Sequence, residues 1–372
     1  MKTPSLPFHV GMNRAISNST VYKCHINVPG QWMNDPTALW KHGDSYFAMF
    51  QCGDPRNTWE FGISWGCARS TDMIHWEVIN TKFLSPSIVG CDEDGCFTGS
   101  IMSSSFDENS YDVFYTGVVR TGYATFDEYL MHASLSHDIN ASHPSIVKSK
   151  QPLLQKNTLV YTDLRDPYVF VSPDGSRCIL MGARTLNGDG LVTVHKLSDS
   201  KCDSPMQVDQ GKPLIQSPFD DVLPECPNIA RLEGNLWVLI VSLDHIDVKN
   251  RKVLYVLGHM SDDGMSFRPL CDWRPIDSGS ANVYATTIST MCKTTHPIII
   301  PWVVDPSGTN NVLGIPRYIL LNKESDTLVQ QPICMPSVGF DQIVFRDGDL
   351  EEVFDKEGSV STNRLVSKQG KL

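Results

Sequence analysis

The chain has 372 residues, 41% hydrophobic and 20% charged, ample for burying one large soluble core. Its net charge of −11 and pI near 5.4, with no run of basic residues, exclude a polyanion such as nucleic acid as partner. No stretch reaches the roughly eighteen apolar residues of a membrane span, and the longest apolar run, Pro297-Ile298-Ile299-Ile300-Pro301-Trp302-Val303-Val304, has the length of a buried strand.

In chain order, the opening Met1-Lys2-Thr3-Pro4-Ser5-Leu6-Pro7-Phe8 lacks the apolar core of a secretory signal. Residues 1–21 read as an N-terminal segment, 22–335 as one domain without an internal linker, and 336–372 as a short C-terminal extension. The 11 cysteines are odd in number and lack a disulfide-framework spacing, which favours a reducing, cytoplasmic setting. Sequons at Asn18-Ser19-Thr20 and Asn140-Ala141-Ser142 weigh weakly the other way.

Short or alternating apolar runs at 45–50, 111–115, 168–171, 178–181, 236–241, 253–257 and 318–321 predict strands. Pro173-Asp174-Gly175, Asn187-Gly188-Asp189-Gly190, Glu233-Gly234-Asn235 and Asp262-Asp263-Gly264 punctuate them as turns. No long window sustains a 3.6-residue amphipathic period, so the expected class is all-β.

Three carboxylates stand beside prolines, in Trp32-Met33-Asn34-Asp35-Pro36, Leu164-Arg165-Asp166-Pro167 and Pro224-Glu225-Cys226-Pro227. A residue before proline is pushed toward extended conformations, so Asp35 and Asp166 are expected to project rigidly from strand ends. Asp35, Phe97, Asp166, Glu225 and Tyr284 follow at intervals of 62, 69, 59 and 59 residues. A four-stranded propeller blade with generous loops takes roughly 40 to 60 residues. The period therefore predicts a five-bladed β-propeller whose inner strands face one central pocket. Taken singly, each signal is bland: Asn-Asp-Pro is a turn former, Arg165-Asp166 an ion pair, and Asp54-Pro55 and Asp305-Pro306 show how common the dipeptide is.

Other chemistries find no support. Cys91-Asp92-Glu93-Asp94-Gly95-Cys96 fits neither zinc nor EF-hand spacing and reads as an acidic surface loop. No phosphate-binding glycine loop and no Gly-x-Ser-x-Gly elbow occurs, and neither metal nor cofactor is expected. His25 and His75 read as hydrogen-bonded structural residues, and Trp32, Trp65 and Trp76 as inter-blade core.

Taken together in order, His25-Ile26-Asn27-Val28-Pro29-Gly30-Gln31-Trp32-Met33-Asn34-Asp35-Pro36, Phe50-Gln51, Trp65-Gly66-Cys67-Ala68, Cys96-Phe97-Thr98-Gly99-Ser100, Arg165-Asp166-Pro167, Glu225-Cys226, Tyr284-Ala285 and Ile315-Pro316-Arg317 resemble glycoside hydrolase family 32. That family comprises the invertase, inulinase and levanase type of β-fructofuranosidases. The resemblance implies a funnel-shaped active site at the centre of the propeller and a retaining double displacement on sucrose or short fructans. Asp35 would be the nucleophile, Glu225 the general acid/base with a raised pKa, and Asp166 the transition-state stabiliser. Asp35 would stay ionised under its hydrogen bonds. Asn34, Gln51, Trp59, Phe97, Thr98, Arg165 and Tyr284 would contact the sugar, Trp59 as a stacking platform.

The same carboxylates would serve a fructosyltransferase or a cyclising fructan enzyme, and a non-catalytic sugar-binding propeller is the alternative of another class. Thr37-Ala38, Cys67, Thr98 and Ile101 depart from the family pattern, and these departures are expected near the pocket. The family's C-terminal β-sandwich is expected to be missing or vestigial, with Leu350 to Arg364 faintly similar to its last strands. The flank it usually covers is expected to be buried by a terminal segment or by a second subunit in a homo-oligomer.

Overall fold

The computed structural model describes residues 24–54, 59–105, 110–123, 125–136, 146–198, 206–244, 251–277, 282–289, 291–292, 294–305 and 311–333, together with the backbone of 344–347 and 350–353. The expected N-terminal segment, both sequons and most of the C-terminal extension lie outside these residues.

Five antiparallel sheets follow one another along the chain, and no helix occurs among the described residues. Blade one contains Met33–His42, Ser45–Cys52, Ser64–Ser70 and Glu77–Leu84. Blade two contains Gly95–Ser103, Tyr111–Arg120, Phe126–Leu135 and an outer edge of Ile146–Lys148 with Leu154–Gln155. Blade three contains Tyr161–Val171, Arg177–Thr185, Gly190–Ser198 and the edge pieces Gln207–Val208 and Lys212–Gln216. Blade four contains Leu223–Glu233, Leu236–Asp244, Lys252–Met260 and the edges Phe267–Pro269 and Arg274–Pro275. Blade five contains Val283–Ser289, Ile298–Val303, Arg317–Asn322 and Thr327–Pro332, with Val312–Leu313 beside its second strand. Each predicted apolar run falls inside one of these strands.

The core is built between blades. Trp40, Phe47 and Trp65 of blade one pack with Tyr115 and Met131 of blade two, and Phe114 and Leu130 of blade two with Ile179 and Met181 of blade three. Leu180 meets Ile229 and Leu239 across blades three and four, and Ile240 meets Ile288 and Ile299 across blades four and five. Met33 and Trp32 meet Ile300 and Trp302 where blade five returns to blade one. A β-sheet with apolar residues on both faces must cover both, and a closed ring of twisted sheets does so. The ring is tied by Leu313, whose N–H donates to the Ile26 carbonyl at 2.9 Å and whose own carbonyl lies 3.0 Å from His25 Nδ1.

The first strand of each blade forms the wall of the central channel and is an edge strand there. An edge tolerates proline because one side of its N–H row has no partner strand, which is why Pro36, Pro167, Pro224 and Pro227 fit. In every inner strand the register breaks at the corresponding place: Met33 to Pro36, Cys96 to Gly99, Arg165 to Tyr168, Glu225 to Asn228 and Tyr284 to Thr287. These five bulges interrupt strict alternation and let neighbouring residues address the same side. Gly99 ends one of them, and a Cβ there would lie 2.0 Å from the Phe114 carbonyl oxygen. Gly99→Ala is therefore expected to cost ~3 kcal/mol, read as insoluble protein or a Tm lower by roughly 4 °C; an unchanged melting curve would contradict it.

Two expectations need correction. Asp166 precedes Pro167 and yet has φ of 60°, and Cys226 before Pro227 has φ of 47°, so neither is extended. The bulge overrides the pre-proline preference, and Asp166 is held in place by its N–H donating to Thr116 Oγ1 at 2.9 Å. The segment 91–96 is not simply an acidic surface loop either: Asp92 is buried, receives the Tyr115 hydroxyl at 2.8 Å and pairs with Lys148. His75 bonds Asp72 at 2.7 Å as a structural residue, Trp32 and Trp65 are buried, and Trp76 is half-buried against the core. Near the C-terminus, Val344–Asp347 and Leu350–Val353 pair as an antiparallel hairpin.

Candidate active site

The bulged ends of the inner strands bring the carboxyls of Asp35 and Asp166 together at one thiol, beside Glu225. Cys226 Sγ lies 3.6 Å from Asp35 Oδ2 and 3.7 Å from Asp166 Oδ2, and the Cys226 N–H donates to Asp166 Oδ2 at 2.9 Å. Glu225 precedes this cysteine on the same strand. Burial, with the surrounding carboxylates, pushes the Cys226 thiol far up, so it stays a weak S–H donor.

Asp35 is gripped by a closed circuit. Thr98 Oγ1 donates to its Oδ2 at 2.6 Å and Asn34 Nδ2 to its Oδ1 at 3.1 Å. Gln51 Nε2 donates to Thr98 Oγ1 at 2.6 Å, and Asn34 Nδ2 also donates to Gln51 Oε1 at 2.9 Å. Trp32 Nε1 donates to Asn34 Oδ1 at 2.9 Å, which fixes the amide's orientation. Asn34, Gln51 and Thr98 thus spend polar atoms on Asp35 and on one another. Although Asp35 reaches the pocket surface, burial raises its pKa above the ordinary carboxylate value. The hydrogen bond from Thr98 opposes the rise, and the Glu225 charge adds to it. Hydrogen bonding therefore does not keep Asp35 at an ordinary value, because desolvation is the larger influence.

Glu225 is held from two sides. Arg165 donates to its Oε1 from Nη2 at 2.6 Å and from Nε at 3.1 Å, and the Tyr284 hydroxyl lies 2.7 Å from its Oε2. Burial and the Glu225 charge push the Tyr284 phenol up, so it remains protonated. Behind Tyr284, the Arg251 guanidinium sits 5.5 Å from the ring centre and donates to Asp244 at 2.7 Å.

Asp166 is raised to about 8 by burial, then by Glu225, with Arg165 opposing. Between the ordinary value of 3.8 and about 8, the folded protein keeps a proton that the unfolded chain releases. Stability from this group is complete below the lower value and is lost as pH rises through the higher one. Asp166→Asn can still accept from Cys226 N–H, and asparagine tolerates the left-handed backbone. It is expected to raise stability at pH 8 by about 2 kcal/mol, roughly 3 °C in Tm, with no gain at pH 4. A Tm no higher than wild type at pH 8 would contradict this.

On one wall, Trp59, Phe61, Phe97 and Phe126 form an aromatic group, with Trp59 5.7 Å from Phe97 and Phe97 5.6 Å from Phe126. Every expected contact residue, Trp59 and Phe97 included, therefore lies at or next to this end of the channel. The departures are less united. Thr98 touches Asp35, but Cys67 is wholly buried between blades one and two. Thr37, Ala38 and Ile101 line a cavity of about 1010 Å³ at the far end of the channel, away from the carboxyls. Along a strand, two or three residues carry the chain past the pocket floor.

The motifs do not contain Glu128, Lys156, Asp244 and Arg251, which come from second and third strands and loops, or Asp163, which lies on the inner strand of blade three two residues before Arg165. Arg165 Nη1 donates to both Glu128 Oε1 and Asp163 Oδ1 at 2.9 Å, and Arg184 pairs with Asp163 at 2.7 Å. Single charged residues in ordinary strand sequence carry no signal of such a network.

A propeller that presents three convergent carboxyls in one aromatic-walled pocket defines a protein equipped for glycoside chemistry. A family model described as the glycosyl hydrolases family 32 N-terminal domain matches residues 25–332. A β-fructofuranosidase, insoluble isoenzyme 4, from Oryza sativa subsp. japonica is 28% identical over 342 residues, covering 83% of this chain and 54% of its own length. The fold is similar to a fructan 1-exohydrolase IIa of Cichorium intybus in complex with 1-kestose, with a TM-score of 0.69, 21% identity and coverage of 84% and 60%. It is also similar to a variant of a Bombyx mori β-fructofuranosidase in complex with sucrose, with a TM-score of 0.67, 20% identity and coverage of 89% and 68%. The chain belongs to glycosyl hydrolase family 32. It spans about half the length of the curated relatives it matches along most of its own length.

Proposed function

We propose that the chain is a retaining β-fructofuranosidase that releases fructose from sucrose or short fructans. The observation that carries this reading is the meeting of Asp35 and Asp166 at Cys226, with Glu225, the preceding residue, held by Arg165 and Tyr284. In the first step an Asp35 oxygen bonds to the anomeric C2 as the C2–O bond to the leaving group breaks. Glu225 gives its proton to the departing oxygen. In the second, water bonds to C2, its proton returns to Glu225, and the C2–Asp35 ester breaks.

Burial and the Glu225 charge raise the Asp166 carboxyl and favour its protonated form, in which one oxygen can donate and the other accept toward neighbouring sugar hydroxyls. Tyr284 and Arg165 receive the Glu225 carboxylate after proton transfer. Trp59 and Phe97 offer ring faces to sugar C–H groups. The ligands of the chicory and silkworm proteins, 1-kestose and sucrose, support a fructoside substrate.

The test is separate incubation with sucrose, inulin and levan, followed by chromatographic resolution of products. Free fructose is expected from at least one. Binding of fructose with no release from any of the three would sink the proposal, and longer or cyclic fructosides in place of fructose would redirect it to transfer.

A further inference from the structure

Behind the pocket a chain of alternating charge runs from Glu225 and Arg165 back to two buried residues, Glu128 and Lys156, that no catalytic step uses. Glu128, on the third strand of blade two, has a fully buried carboxylate with three partners. Its Oε1 accepts from Arg165 Nη1 at 2.9 Å, and its Oε2 accepts from Lys156 Nζ at 2.8 Å and from the Leu164 N–H at 2.9 Å. Lys156 is 7% exposed and donates a second bond to the Thr162 carbonyl at 2.7 Å. The order of charge is Lys156, Glu128, Arg165, Glu225, with Arg184 and Asp163 forming a side branch onto Arg165. Three cations balance three carboxylates, and the network ends at the group that exchanges a proton with substrate.

We propose that Glu128 and Lys156 are positioning residues that set, through Arg165, the pH at which Glu225 gives up its proton. This rests on the assignment of Glu225 as acid/base. One Arg165 guanidinium is shared among Glu128, Asp163 and Glu225, so whatever the first two take is withheld from the third. A buried charge polarises its neighbours strongly because little water screens it. Glu128 also ties the Leu164 backbone, and with it the stretch that carries Arg165 and Asp166, to blade two.

The other charged and titratable groups around Glu225 stay unchanged in the test. From blade one there is Asp35, from blade three Asp166, and from blade four Cys226, with Asp244 on the next strand. From blade five there is Tyr284, with Arg251 behind it. None of them touches Glu128 or Lys156 through a bond described above.

Glu128→Gln keeps the shape and removes the charge, which leaves Arg165 with one fewer carboxylate and strengthens its hold on ionised Glu225. Lys156→Met leaves Glu128 unneutralised and does the reverse. Glu128→Gln is expected to move the Glu225 titration midpoint down by about half a pH unit or more, and Lys156→Met to move it up. The double variant should fall between them.

The midpoint is read by carbon-13 NMR titration of the side-chain carboxyls, with Glu225→Gln assigning the resonance, and independently from the alkaline limb of kcat/KM on sucrose. Opposite displacements in the two single variants support the inference. Equal midpoints, or displacement in one direction by both as a merely structural brace would give, overturn it. Absence of turnover in the wild type would count against fructoside cleavage, while the titration, which needs no substrate, still decides the inference.

Discussion

Asp35→Asn is expected to lower kcat on a cleaved fructoside by on the order of 10⁴-fold or more, with KM changed far less. The amide can take the place of the carboxylate in the circuit of Thr98, Asn34 and Gln51 with a reoriented hydrogen bond, so the fold should survive. What is lost is the charge proposed to bond to C2. Burial holds the wild-type carboxyl above the ordinary value, so the working, ionised form disappears on acidification earlier than for an exposed aspartate. The acid limb of kcat/KM should therefore have its midpoint above the ordinary 3.8. A variant that keeps a tenth of wild-type kcat would remove Asp35 from the nucleophile's role.

Glu225→Gln should behave differently, and the difference separates the two roles. With sucrose, whose leaving alkoxide needs a proton, kcat/KM should fall by about 10²- to 10⁴-fold. With fructosyl fluoride, whose leaving group needs little protonation, the first step should be nearly spared, and the ester on Asp35 should accumulate because no base activates water. Glutamine retains the contacts to Arg165 and Tyr284 in kind, so stability should change little. Equal losses on both substrates would show that Glu225 acts by binding and not by proton transfer.

Much of this architecture is legible in the chain because the inner strands carry their own markers. Proline beside a carboxyl is rare inside a sheet and tolerated at a bulged edge, so Asp35, Asp166 and Glu225 announce the channel wall before any strand is drawn. Their period gives the blade count because each blade must return the chain to the same wall. Apart from 168–171, at the end of the inner strand of blade three, the apolar runs mark second and third strands, whose two faces are both covered, while the other inner strands escape a hydrophobicity search.

Three things stay hidden. The left-handed backbone of Asp166 and Cys226 goes with hydrogen bonds across blades, the Asp166 N–H donating to Thr116 Oγ1 and the Cys226 N–H donating to Asp166 Oδ2, that no local rule contains. The raised value of Asp35 depends on depth in the channel, since its hydrogen bonds alone argue the other way. Glu128 and Lys156 sit in sequence that any exposed strand or loop could carry, and only the ring brings them to Arg165. Conversely, Cys67 and Ile101 look adjacent to the site because the chain passes close to it, and the alternation of the strand then turns them into the core or toward the far end.

The most direct test of the account is intact-protein and peptide mass spectrometry of Glu225→Gln after rapid acid quench from fructosyl fluoride. The account predicts one added fructosyl group, mapped to the peptide that contains Asp35 and absent when Asp35→Asn is combined with it. A turning-over enzyme that yields no adduct, or one whose adduct sits on Asp166 or elsewhere, would contradict it.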